Sequence, residues 1–226
     1  MKRYPLDFIL PLIALLIFSF TLTYAERKNC STVQPSSVED TLYFFKGDKI
    51  NNLYLVTKNA NVNTEDVYSI ENGTLHYNSP EQSYLRTEDE FENYTFHCEW
   101  RWKTEDEKGN SGILIHLQKP DSVWPKCMQI QLKKDNAGDL IAMSGVESDQ
   151  TTGKVKETGA KLSPSNENPG IEWNSCDIIC RNDSVTVYIN GLLQNTGTNM
   201  NVKKGAVALQ LESRPIIFRN TYLIKE

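Results

Sequence analysis

Residues 95–103 read T-F-H-C-E-W-R-W-K, and they constrain the fold more than any other stretch of the chain. Phe96, Cys98, Trp100 and Trp102 fall at every second position, with His97, Glu99, Arg101 and Lys103 between them. Successive side chains of an extended chain point to opposite faces, so strict alternation marks a strand with one apolar and one polar face. The same period recurs downstream. Residues 112–118 set Ile113, Ile115 and Leu117 against Leu114, His116 and Gln118. Residues 127–133 set Met128, Ile130 and Leu132 against Gln129, Gln131 and Lys133. Residues 184–190 set Val185, Val187 and Ile189 against Thr186 and Tyr188, and residues 206–211 and 216–224 add two further strands. Turn signals separate these runs at Asn72-Gly73, Gly109-Asn110, Ala137-Gly138-Asp139, Asn182-Asp183 and Asn190-Gly191. Short strands with such turns predict an all-β antiparallel sandwich or barrel. No apolar stripe of several helical turns is present. The polar stretch 149–169 predicts a long surface loop with room for one strand.

The N-terminus has a different character. Lys2 and Arg3 precede an apolar run from residue 8 to residue 22, which ends in Thr23-Tyr24-Ala25. Charge, short apolar core and small residues in that order predict a secretory signal peptide over residues 1–25. The core falls short of the roughly 20 apolar residues a spanning helix needs. An uncleaved anchor is the alternative. Asn29 before Cys30 is the wrong residue for a lipid-modification signal. Residues 26–40 then form an extension and residues 41–226 a single domain. No second long apolar segment follows, so no membrane span is expected after cleavage.

The 24 basic residues against 29 acidic ones leave the chain mildly acidic, which argues against a nucleic-acid surface. Five cysteines are present. Cys176 and Cys180, four apart on one strand, would sit about 13 Å apart, too far for a bridge. Buried thiols are the expectation. The spacing of the cysteines and of His76, His97 and His116 predicts no metal site.

Familiar catalytic signatures are absent: no G-x-S-x-G elbow, H-E-x-x-H pair, phosphate loop or dinucleotide fingerprint. An ordered set of short segments is more telling. It comprises Glu99-Trp-Arg101, Gly109-Asn-Ser-Gly112 leading to His116, Trp124-Pro-Lys-Cys-Met-Gln-Ile-Gln-Leu132 and Asn136-Ala-Gly-Asp139. It continues through Pro169-Gly-Ile-Glu-Trp-Asn174, Val187-Tyr-Ile-Asn-Gly191, Leu209-Gln-Leu-Glu212 and Ile217-Phe-Arg-Asn220. In this order they resemble the 3-keto-disaccharide hydrolase family, in an exported branch common in Bacteroides-type bacteria. The resemblance implies a concanavalin-like jelly roll of two curved antiparallel sheets with the ligand on the concave one. It implies a carbohydrate substrate, an oxidised disaccharide or glycoside, met in the periplasm or at the surface of a Gram-negative cell. One departure stands out: many relatives carry Glu-x-Gln where this chain has Gln129-Ile-Gln131.

The C3 carbonyl of a 3-keto sugar acidifies the hydrogen on C2, and the aglycone on C1 lies β to it. A base removes that proton, the C1–O bond breaks, and water adds back. Such a site needs a base, a group facing the enolate and a proton for the leaving oxygen. Strand parity nominates the residues, provided all the polar faces belong to the concave sheet. His116 is then base or acid, with Glu99 or Glu212 as its carboxylate partner. Arg101 faces the enolate or a hydroxyl. Trp124 stacks on a sugar, and Gln129, Gln131, Asp139 and Gln210 bind hydroxyls. No cofactor is predicted; a divalent cation on Glu99, His116 and Glu212 is the one alternative. Two other readings stand beside the enzyme: a non-catalytic carbohydrate-binding module on the same face, and a structural domain with an apolar concave face. For single residues the plain readings are a solvent-facing His116, a cross-strand Glu99–Arg101 pair and a turn role for Asp139.

Overall fold

The computed structural model describes residues 40–59, 61–105 and 109–226; the expected leader lies outside them. The first strands are β1 (Thr41–Tyr43), β2 (Phe45–Lys46), β3 (Lys49–Ile50), β4 (Leu53–Thr57), β5 (Tyr68–Glu71), β6 (Thr74–Tyr77) and β7 (Ser83–Thr87). The middle of the chain gives β8 (Tyr94–Trp102), β9 (Asn110–Leu117), β10 (Cys127–Gln131), β11 (Leu140–Met143) and β12 (Thr158–Gly159). The last five are β13 (Asn174–Arg181), β14 (Ser184–Ile189), β15 (Leu192–Gly197), β16 (Ala206–Glu212) and β17 (Ile216–Lys225). Among the described residues the α-helix is a single turn, Thr64–Val67. None is long and apolar enough to cross a membrane.

The strands form two large sheets. An eight-stranded sheet runs β15-β14-β13-β8-β17-β6-β5, with β1 also on β17. A seven-stranded sheet runs β12-β11-β10-β9-β16-β7-β4. Their ladders are antiparallel, as expected for a jelly roll. Asn72-Gly73 and Asn190-Gly191 turn with both residues at positive φ, the tight hairpin geometry that pair favours.

Alternation built the sandwich. In β8 the buried residues are Tyr94, Phe96, Cys98, Trp100 and Trp102, every second position. Opposite them the seven-stranded sheet contributes Ile113, Ile115, Met128, Ile130, Leu132, Val207, Leu209 and Leu211. Removing such side chains from water is the main drive for the two sheets to close. Residues 149–169 form a long connection holding one 3-10 turn and the two-residue β12.

Parity breaks at one place that matters for function. Ala206 pairs with Leu117 and Ala208 with Leu114, so Val207 opposes both Ile115 and His116. His116 is the extra residue of a β-bulge, with φ +50°. Its side chain therefore turns inward with Ile115 instead of outward with Leu114. It is fully buried, edge-on to Tyr94 at 5.8 Å, with Nδ1 3.2 Å from the Val202 carbonyl. Gly205 makes room: a Cβ there would lie 2.4 Å from the His116 backbone. The expected outward-facing His116 is thus a core residue.

Candidate active site on the seven-stranded sheet

The outward face of the seven-stranded sheet has no second sheet upon it, yet its side chains are buried, as on the hollow side of a curved sheet. Gln129, Gln131 and Gln210 are 4%, 7% and 6% exposed. They form one hydrogen-bonded row across the strands. Gln82 Nε2 donates to Glu212 Oε1 at 3.3 Å, and Gln210 Nε2 donates to Glu212 Oε2 at 2.8 Å. Gln129 Nε2 then donates to Gln210 Oε1 at 3.1 Å and to Gln131 Oε1 at 3.5 Å. Gln131 Oε1 is also held by the backbone N–H groups of Leu132 and Lys133, each at 2.9 Å.

This row explains two motif residues. β9 lies between β10 and β16, so Gln129 reaches Gln210 only by crossing β9. Gly112 allows it: a Cβ there would meet Gln129 Nε2 at 2.8 Å. The row also explains the departure at position 129. Glu212 accepts only, so Gln210 must turn its amine to Glu212 and its oxygen to residue 129. Backbone N–H groups fix the Gln131 oxygen in the same way. Residue 129 therefore faces two acceptors and must donate, which an ionised Glu cannot do.

The face has two ends. At one end Tyr84, Leu114, Leu117, Cys127, Met143, Ala206 and Ala208 form a small apolar cluster. The loop of residues 118–126 is strapped beside it. Asp121 pairs with the fully buried Arg86 and accepts from Tyr54 Oη at 2.8 Å. Ser122 O accepts from Tyr84 Oη at 3.0 Å, and Trp124 O from Ser144 Oγ at 3.0 Å. Trp124 is 52% exposed and shares a narrow cleft of ≈ 10 Å³ with Gln82, Gln210 and Glu212. At the other end Glu212 opens onto a hollow of ≈ 380 Å³ lined by Lys58, Pro80, Glu81, Gln82 and Ser213.

The structure thus brings together Glu212, Gln210, Gln129, Gln131 and Trp124. It does not bring Glu99, Arg101 or His116 to them. β8 belongs to the eight-stranded sheet, so the polar face of Glu99 and Arg101 looks out from the opposite side of the sandwich. Glu99 binds Arg219 and Asn220 there, both at 2.6 Å. Burial raises its pKa, but those hydrogen bonds and the Arg219 charge outweigh it and leave the carboxyl below its ordinary value. Arg101 lies over Trp173 at 5.1 Å, and Arg219 covers the same ring at 3.9 Å. Glu99, His116 and Glu212, the trio considered for a cation, lie apart: on the outer face of the eight-stranded sheet, in the core, and on the outer face of the seven-stranded sheet. Among the described residues no three ligating side chains cluster as a metal site.

His116 meets no carboxylate among the hydrogen bonds and ion pairs of the described residues. Burial pulls its pKa down to about 4, against carbonyls of Val202 and Glu92 that raise it. Asp139 holds a turn: its oxygens accept from Lys161 N at 2.8 Å and Asn136 Nδ2 at 3.3 Å. Gln82, Lys58, Glu81 and Arg86 went unnoticed in the sequence. Gln82, Tyr84 and Arg86 do share a parity, but β7 is buried on both faces and shows no polar–apolar contrast.

Two large antiparallel sheets with a polar row across one outward face define a concanavalin-like jelly roll. The chain belongs to the family described as the 3-keto-alpha-glucoside-1,2-lyase-like domain, which matches residues 45–224. Among solved structures it is similar to a proposed glycosyl hydrolase from Parabacteroides distasonis ATCC 8503. That match has TM-score 0.62 and 18% identity, over 83% of this chain and 94% of that one. A Bacillus licheniformis beta-glucanase matches at TM-score 0.56 and 13% identity, over 82% and 98%. The carbohydrate binding module CBM66 from Bacillus subtilis matches at TM-score 0.53 and 11% identity, over 76% and 95%. At these identities the likeness is one of fold. No curated protein matches the sequence.

Proposed function

We propose that this chain cleaves 3-keto-glycosides by elimination and hydration at the Glu212 end of the concave face. One observation carries the proposal. Glu212 has both carboxylate oxygens steadied by Gln82 and Gln210, and it forms the wall of a hollow shared with Lys58 and Glu81. In this scheme Glu212 takes the C2 proton and the Lys58 ammonium faces the oxygen on C3 as it gains charge. The C1–O bond breaks and C1=C2 forms. The departing oxygen takes a proton from the open side of the hollow, where Glu81 lies. Water then adds its oxygen to C1 and a proton to C2. Gln129 and Gln210 bind hydroxyls, and Trp124 stacks on a ring at the rim. The test is incubation of the purified protein with a 3-keto-disaccharide and, separately, with its unoxidised parent. Release from the keto sugar alone is expected. No release from either removes the enzyme; release from both removes the keto-specific mechanism.

One observation favours a second reading, a non-catalytic carbohydrate-binding module. Three carboxamides occupy the middle of the face, and residue 129 is held as a donor to two oxygens. Such a row suits sugar hydroxyls without any proton transfer. Retention of a keto sugar without its cleavage, in the same incubation, selects this reading. We also propose that the chain is exported and works in the periplasm or at the cell surface. A mature N-terminus at Glu26 in the fractionated protein is the expected result.

A further inference from the structure

We propose that Cys98 and Cys176 are an oxidation site that closes into a cross-strand disulfide inside the sandwich. The two residues are direct partners in the antiparallel ladder of β8 and β13. Both side chains point into the core, both are fully buried, and both are free thiols in the structure. Directly opposed residues hold their Cβ atoms roughly 4.5–5.5 Å apart. A disulfide needs roughly 3.5–4.5 Å. Closure therefore asks the two strands to approach by something on the order of 1 Å at this pair, with rotation about each Cα–Cβ bond turning the sulfurs towards one another.

The pairing is selective among the described residues. Cys180 shares the core face of β13, but its partner across the ladder is Tyr94. Cys127 lies on the other face of the other sheet, 3.7 Å from Met143 Sδ. No other two described cysteines are ladder partners. The bond would also sit at a telling place. Cys98 lies midway along the last strand before the chain leaves the eight-stranded sheet, and Cys176 near the start of the strand on which it returns. The intervening chain supplies β9, β10, β11 and β12 of the other sheet. A bridge here ties off that whole excursion and removes freedom from the unfolded chain.

The chemistry is thiol–disulfide exchange with a small-molecule or protein disulfide as oxidant. One thiolate attacks the donor disulfide, forms a mixed disulfide and expels one thiol. The second thiolate attacks that mixed disulfide, forms Cys98–Cys176 and expels the second thiol. Two protein thiols are oxidised and one donor disulfide is reduced. Burial and the neighbouring Cys176 sulfur hold the Cys98 thiol well above its ordinary pKa. The folded protein therefore exchanges slowly, and the bond forms as the sheets assemble.

The test uses the full chain, unfolded in urea and refolded with mixed reduced and oxidised glutathione, then denatured and alkylated. Loss of two alkylatable thiols is expected, with a linked Cys98–Cys176 peptide pair that disappears on reduction. The urea midpoint is expected to rise in the oxidised protein and to return with reductant. A Cys98→Ala variant treated identically is expected to show no such shift. The proposal is overturned if all thiols remain alkylatable, if the linked peptides join other cysteines, or if Cys98→Ala keeps the shift. Should that variant fail to fold, the peptide map of the unaltered chain decides by itself.

Discussion

The two outward faces of the sandwich draw on similar polar residues and hold them in opposite ways. On the eight-stranded sheet, polar and charged groups pair near water. Arg219 binds Glu99, His97 Nδ1 lies 2.6 Å from Asp177, and two guanidiniums cover Trp173. On the seven-stranded sheet the centre is neutral: three buried carboxamides lead to one carboxylate. Solvated pairs of the first kind contribute little and are screened by salt. Buried groups of the second kind must be fully partnered, so their geometry is specified. A face that binds a ligand needs such fixed donors and acceptors, and the second face has them beside a hollow.

Four measurements would break or sharpen this contrast. The largest effect is expected at the strap. Asp121→Ala leaves Arg86 buried without its counter-charge, and urea denaturation should show a loss of about 3–5 kcal/mol. A loss as small as that of a solvated pair would mean that the two faces hold charge alike.

The second concerns His116. Its folded pKa of about 4 lies below the ordinary 6.5, so the folded state binds fewer protons than the unfolded one. This contribution to stability is whole above pH 6.5 and lost as pH falls towards 4. It amounts to something on the order of 3 kcal/mol. His116→Leu should flatten that part of the pH–stability curve. An unchanged curve would put the ring outside the core.

Third, Glu212→Gln should slow release from a 3-keto-disaccharide by about 100-fold or more, with Glu99→Gln left within about twofold because it touches no part of that face. Equal losses in a product-release assay would erase the distinction between the faces. The smallest effect belongs to the outer pair: Glu99→Ala should cost about 1 kcal/mol or less and shrink further in salt.

Much of the fold was legible in the sequence. Period two placed the strands and sorted core from surface in β8 and β14. The ordered motifs led to the family. Parity pairs Gln129 with Gln131 and Gln210 with Glu212, and hydrogen bonds join the four in one row. The errors have physical causes. Parity tells which residues share a side of a strand, but not which of two sheets the strand joins. Glu99 and Arg101 were lost that way. A one-residue bulge inverts parity with no local signal, and His116 was lost with it. Lys58, Glu81 and Gln82 line the hollow from segments flanking short strands, where alternation is too brief to read.

The amide row has a consequence for regulation by charge. The Gln210 dipole points the way it does because Glu212 can only accept, while backbone N–H groups hold Gln131 at the far end. A Glu212 that donated would free Gln210 to reverse, although the Gln131 oxygen would still hold one hydrogen of Gln129. The state of one proton at the rim would thus decide what an incoming hydroxyl meets in the middle of the face: a hydrogen or a lone pair.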